Sequence, residues 1–144
     1  MTTPDPAREA PATHRFSVRV YYEDTDFSGA VYHANFLRFM ERARTEILRD
    51  RGVDQGASFA GDATETFGLV VRSMNIEWLK PARMDDLLTV ESRADRIGGA
   101  TLELDQRILR GDEILLTAKV RIACVINGRA ARLPAGLKER LANG

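Results

Sequence analysis

The sequence predicts an α+β fold, with one long central helix wrapped by an antiparallel sheet of five or six strands. Three observations lead to it. One stretch from about Tyr32 to Arg49 repeats its apolar residues at helical spacing. Most of the remaining chain alternates apolar and polar residues with a period of two. Short turns rich in Gly join the alternating stretches, which is enough chain for antiparallel neighbours but not for parallel crossovers. A length of 144 residues fits one domain able to bury its own core. Residues 14–134 read as that domain, residues 1–13 as a disordered tail, and residues 135–144 as a C-terminal segment suited to a short helix.

The elements follow in order. The tail carries Pro4, Pro6 and Pro11 and almost no large apolar side chains. Phe16, Val18, Val20 and Tyr22 then alternate with Arg15, Ser17, Arg19 and Tyr21, a strand with one buried face. Glu23 to Gly29 is short, acidic and ends in Gly, so it reads as a loop. The helix starts near Tyr32 to Asn35, with Phe36, Phe39, Met40, Ala43 and Ile47 on one stripe and Gly52 as its stop. Arg38, Arg42 and Arg44 read as part of a charged solvent face. Residues 53–66 are small and polar, a loop. Leu69–Trp78 is a strand with Val70, Met74, Ile76 and Trp78 on one face, ended by Pro81. Leu88–Ile97 follows, then a turn at Gly98-Gly99. Thr101–Leu109 comes next, with Leu102, Leu104, Gln106 and Ile108 on one face. Gly111-Asp112 turns the chain into Ile114–Ile126, and Asn127-Gly128 closes that strand. One helix cannot cover both faces and both edges of such a sheet, so a homo-oligomer is expected.

Composition excludes several classes. Lys+Arg and Asp+Glu balance at 21 each, so no global charge draws the chain to nucleic acid. No apolar run is long enough to span a bilayer, and Met1 to His14 has no apolar core of a secretory signal. One cysteine, Cys124, rules out an intrachain disulfide and fits a cytoplasmic location. Cys124 lies in an alternating apolar strand and reads as core. Two histidines and one cysteine make no convincing metal set, and no G-x-S-x-G elbow is present. Neither a metal nor an organic cofactor is expected.

The chemistry concentrates in Tyr21 to Arg44, YYEDTDFSGAVYHANFLRFMERAR. Asp24 and Asp26 stand in a loop ahead of a helix. Gly29 lets backbone approach a ligand closely. The helix start then offers free amides and the positive end of its dipole. A thioester carbonyl seated there would have its developing oxyanion stabilised by a backbone N–H. A nearby carboxylate could attack the carbonyl carbon or activate a water. A single Asp before a Gly turn ordinarily serves the turn itself; the whole stretch weighs the other way.

These residues resemble the hot-dog-fold thioesterases of the 4-hydroxybenzoyl-CoA thioesterase class, and within it the acyl-CoA thioesterases associated with the Tol-Pal cell-envelope system. The shared pattern is carried here by Tyr21-Tyr22-Glu23-Asp24-Thr25-Asp26, Gly29, Val31-Tyr32-His33-Ala34-Asn35-Phe36 and Glu41-Arg42-Ala43-Arg44-Thr45-Glu46. Val71-Arg72-Ser73-Met74, Lys80-Pro81-Ala82-Arg83 and Asp85-Asp86 extend it, and it covers about Phe16 to Pro134. The resemblance implies Asp26 as the catalytic carboxylate, nucleophile or general base, and an oxyanion-binding backbone amide at or next to His33. It implies that Tyr32 and Asn35 shape the acyl pocket and hold the loop. It also implies acyl-CoA or acyl-carrier-protein substrates, and a homodimer or homotetramer with the site at the subunit interface. Relatives place a basic residue in the turn before the fourth strand; here that turn is Gly98-Gly99, with Arg96 before it. Arg72, Lys80, Arg83 and Arg96 are the candidates for the CoA phosphates. Phe27, Phe59, Phe67 and Trp78 are bulky enough to close the acyl pocket.

Three rivals remain. Glu41 on the helix is a reserve catalytic carboxylate, since another hot-dog subclass uses a helical Glu. A hydratase on the same fold needs a His with a carboxylate on the helix side, whereas His33 sits at the loop. A non-catalytic acyl-thioester-binding or scaffold protein of the envelope machinery is the third.

Overall fold

The computed structural model describes residues 13–53 and 67–143. In chain order its elements are β1 (His14–Arg19), a single 3-10 turn (Tyr22–Asp24), α1 (His33–Asp50), β2 (Gly68–Trp78), β3 (Leu87–Ile97), β4 (Thr101–Arg110), β5 (Glu113–Ile126), β6 (Arg129–Ala130) and α2 (Ala135–Asn143). The strands form one antiparallel sheet in the order β1-β3-β4-β5-β2, with β6 folding back on β5. This is the expected α+β architecture. Apart from Thr13 and Val53, the expected tail and the loop over residues 53–66, with Phe59, lie outside the described residues.

The predicted helical stripe is the one buried: Phe36, Phe39, Met40, Ala43 and Ile47 all face the sheet, joined by Leu48. They meet the inner face of the strands, which carries Leu88 and Val90 of β3, Leu104 and Ile108 of β4, and Leu116 and Val120 of β5. Gly52 ends α1 as expected, at φ +80°. The Val53 N–H donates to the Leu48 carbonyl and the Gly52 N–H to the Arg49 carbonyl, a Schellman closure that requires the left-handed residue. Asn127 and Gly128 both have positive φ, 54° and 77°, as a two-residue hairpin turn demands. The return strand they create, β6, is too short to show in the sequence pattern. At the C-terminus, α2 buries Leu137 and Leu141.

Four details differ from the sequence reading. Tyr22 does not continue the buried face of β1; the strand stops at Arg19, and Tyr22 is exposed in the 3-10 turn. Val70 does not share a face with Met74. The register of β2 against β5 shifts between Val71 and Ser73, leaving Arg72 as the extra residue. A bulge of one residue reverses side-chain parity. Leu69 and Val71 therefore stand opposite Cys124 and Ile122, on the side that Met74 shares with Val120. Arg44 does not belong to the solvent face of α1. It is part-buried and donates to Gln106 Oε1 at 2.9 Å, while Gln106 Nε2 donates to Ser92 Oγ (2.9 Å) and the Met40 carbonyl (3.1 Å). Burial lowers the Arg44 pKa, opposed by the charge of Glu41. The fourth is the 3-10 turn itself, which the loop reading passed over.

Candidate active site

The loop from Asp24 to Tyr32 is closed on itself by backbone bonds. The Asp26 N–H donates to the Ala30 carbonyl (2.9 Å), the Gly29 N–H to the Asp26 carbonyl (3.0 Å), and Thr25 bridges Val31. The reversal needs a left-handed residue, which is Gly29 at φ +86°. A second segment braces it from outside. The Val31 N–H donates to the Ala82 carbonyl (2.8 Å), and Ala30 bridges Arg83. The connection between β2 and β3 is thus bound to the loop, which brings Lys80 and Arg83 to the same end of the molecule as Asp26. That connection is itself held by Arg110, whose Nη1 donates to Asp86 Oδ2 at 2.7 Å.

Asp26 presents its carboxylate to solvent from this frame. Oδ1 accepts from the Ser28 N–H (2.8 Å) and from the Ser28 hydroxyl. No bond to Oδ2 is found among the described residues. The Ser28 hydroxyl and amide, with the charge of His33, hold the Asp26 carboxyl below its ordinary value. It is therefore ionised at neutral pH, with one oxygen tied down and one available.

His33 is the first residue of α1 and Tyr32 its cap residue. Helix geometry leaves the first-turn amides of His33 and Ala34 without a carbonyl one turn back. The His33 ring stands edge-on to Trp78, with centroids 4.7 Å apart and planes at 85°. Phe36 meets the same indole at 5.7 Å and Phe39 at 6.1 Å. An aromatic wall thus runs from the helix start into the core. Around it, Tyr21, Tyr22, Phe27, Tyr32, Leu79 and Met84 are exposed, Phe27 completely so.

Asp26, Gly29, Tyr32, His33 and Asn35 are therefore gathered in one place, with Lys80 and Arg83 nearby. Lys80 is engaged by Glu113 at 2.8 Å. Arg72 lies at the β2 bulge, away from the loop. Arg96 is not near Asp26 in its own subunit. It stands nine residues along β3 from Leu87, about 30 Å of strand from the end that meets the loop. Glu41 lies two turns into α1, exposed and away from the loop.

Sequence reasoning did not single out Ser28, and it named Asp24 beside Asp26 without giving it a role. The Asp-x-Ser spacing of an Asx turn was a signal for the first. For Asp24, buried against Asn35, no local pattern exists. A concavity of about 1060 Å³ on the outer sheet face includes Arg15, Glu91, Asp105, Arg107 and Lys119. These five charges pair with one another, as Arg15–Glu91–Arg107 and Asp105–Lys119, and Asp26 is not part of the concavity. No cluster of three metal-binding side chains occurs among the described residues, and no described helix is long and apolar enough to cross a membrane.

Residues 20–141 match the thioesterase-like superfamily. The acyl-CoA thioesterase YbgC of Haemophilus influenzae is 43% identical over 114 residues, 79% of this chain and 82% of that protein. The acyl-CoA thioester hydrolase YbgC of an Escherichia coli O6:H1 strain is 45% identical over 112 residues, 77% of this chain and 81% of that one. The crystal structure of a probable thioesterase from Bartonella henselae superposes with a TM-score of 0.80 at 46% identity, covering 85% of this chain and 99% of that one. The architecture is the hot-dog fold.

Proposed function

The chain belongs to the thioesterase-like superfamily, and we propose that it is an enzyme that hydrolyses acyl-CoA thioesters to free acid and thiol, with Asp26 as its catalytic carboxylate. The supporting observation is the pairing of an ionised, half-tethered carboxylate with the open N-terminus of α1. A carbonyl seated between them has a donor for its oxygen and a carboxylate for its carbon. The amide at or next to His33 is the oxyanion donor. Asp26 acts either by attacking the carbonyl, which expels the thiolate and leaves an acyl-aspartyl anhydride for water to open, or by taking a proton from the attacking water. Both routes need it ionised. The His33 side chain, packed on Trp78, adds positive charge near Asp26 when protonated. Tyr32 shapes the acyl side while Asn35 holds the loop, and Lys80 and Arg83, in the connection bound to the loop, are the cations for the CoA phosphates. Arg72 and Arg96 would have to come from a second subunit.

Acyl-carrier-protein thioesters present the same carbonyl and are the second substrate to test. A homodimer or homotetramer and the Tol-Pal association come with the family resemblance, a cytoplasmic site of action comes with the composition, and all belong to the same reading.

The test is thiol release from short-, medium- and long-chain acyl-CoAs and one aromatic acyl-CoA, wild type beside Asp26→Asn. The swap keeps shape and removes charge. A folded variant slowed about 100-fold or more, over ~2.7 kcal/mol of barrier, is expected. A variant equal to wild type would move the chemistry to Glu41. A wild type inert toward the panel and toward carrier-protein thioesters would favour a binding or scaffold role.

A further inference from the structure

Asp24 and Asn35 are 7% and 8% exposed, and they are bonded to each other: Asn35 Nδ2 donates to Asp24 Oδ1 at 2.8 Å. The second oxygen, Oδ2, accepts the Tyr21 N–H at 2.8 Å. The Asp24 carbonyl accepts the Tyr32 N–H (3.0 Å), and the Tyr32 carbonyl accepts the Asn35 N–H (2.8 Å). One buried residue is thus tied to the residues leaving β1, to the cap residue of α1 and to the first turn of that helix. Burying a carboxylate is unfavourable unless its partners replace the lost water, and both oxygens here have such a partner. These bonds cross the base of the loop that carries Asp26. They fix how far the Asp26 carboxylate stands from the first-turn amides of α1, and displacements on the order of 1 Å in such a spacing matter greatly to rate.

We infer that Asp24 and Asn35 are positioning residues of the site: neither meets the substrate's reacting atoms, and together they hold Asp26 in register with the oxyanion-binding amides. This rests on Asp26 being the catalytic carboxylate of a thioesterase.

The two side chains can be exchanged. In Asp24→Asn the new amide can accept from Tyr21, and its nitrogen meets an acceptor once the Asn35 amide turns over, so this variant can keep the bonds and lose only the charge. In Asn35→Asp two carboxylates face each other, and no turn of either restores the bond. In the double exchange, D24N/N35D, the new Asn accepts from Tyr21 and donates to the new Asp, and every bond is restored. Asn35→Asp should lose about 10-fold or more in kcat with KM for acyl-CoA within roughly threefold of wild type, and the exchange should return kcat to within about threefold. A merely structural role would lower the unfolding temperature and leave kcat unchanged well below it. A folded Asn35→Asp variant with wild-type kcat, or a folded exchange variant as slow as that single, would overturn the inference. If Asn35→Asp fails to fold, the exchange variant decides alone by the same kcat criterion. A wild type that releases no thiol would instead overturn the reading on which the inference rests, and the inference with it.

Discussion

Asp26 has its charge secured chiefly by a neighbour two residues on. The Ser28 hydroxyl contributes most to lowering its pKa, the Ser28 amide next, and burial opposes them. A catalytic group that must be ionised gives a rate that falls as acid protonates it. The acid limb of kcat/KM should therefore lie below the ordinary carboxylate value of about 4. Ser28→Ala removes the hydroxyl and keeps the amide, so the limb should move to higher pH while the plateau near neutrality stays close to wild type. An unmoved limb would mean that Ser28 does not set the Asp26 charge, or that another group controls the profile. At this scale the sequence was most informative where chemistry is local. Asp26, Gly29, Tyr32, His33 and Asn35 fall within ten consecutive residues, and a loop followed by a helix start brings them together whatever the rest of the chain does. Lys80 and Arg83 reach the loop through bridges that span some fifty residues, which no local pattern encodes. Arg44 was misread because charge was weighed above position. It stands one turn beyond Met40 on the edge of the buried stripe, and its partner Gln106 is a polar residue on an inward strand face. Those two inward polar positions were the available signal.

Strands β2 to β5 were legible to within a residue, since their alternation is strong and their turns carry Gly, whereas β1 ends three residues short of the alternation that runs to Tyr22. Their faces were not always so. A bulge adds one residue without altering the composition of a strand, yet it exchanges inside for outside beyond that point. Arg72 does this in β2, and Asp95 does it in β3, where it lets Ile97 face Leu102 on the inner side. The outer face is organised by charge instead. Glu91 on β3 lies between Arg15 of β1 and Arg107 of β4 and bonds both. Burial works to raise the Glu91 carboxyl, but Arg107 and then Arg15 outweigh it and hold it below its ordinary value. A carboxyl whose folded pKa is depressed stabilises the fold above its unfolded pKa, and that contribution disappears as pH falls through the folded value. Glu91→Gln should therefore lower stability at pH 7 by about 1 kcal/mol, a few degrees in Tm. The deficit should shrink as pH drops below about 4 and vanish once wild-type Glu91 is protonated. Thermal unfolding of both proteins across that range measures it; a deficit constant with pH would mean the loss is one of packing rather than charge.

Among the described residues the Asp26 loop is uncovered and one long sheet edge is unpaired, and a second copy of the chain would remedy both. In the order β1-β3-β4-β5-β2 the free edges belong to β1, six residues long, and β2, eleven residues long. An exposed edge of that length offers a row of unpaired backbone groups to another strand. Val70 and Val71 on it are 45% and 43% exposed. Two identical strands pairing antiparallel about a two-fold axis satisfy both edges at once and make one continuous sheet. The far end of β2 carries Trp78, which packs on His33, so a second copy joined along β2 would come up beside the Asp26 loop. There it could cover Phe27 and its aromatic neighbours and exclude water from the carboxylate, strengthening the electrostatics the chemistry relies on. The sequence predicted an oligomer from the want of cover but did not say which edge joins. The double substitution Val70→Lys with Val71→Lys puts two charges on that edge strand, which disfavours pairing with another strand. It should sediment as a folded monomer where wild type is expected to sediment as a dimer or tetramer, and thiol release should fall about 100-fold or more with Asp26 intact. A folded monomer with wild-type activity would show that one chain is sufficient for the site, and an unaltered oligomer would move the seam to β1 or to the helix face.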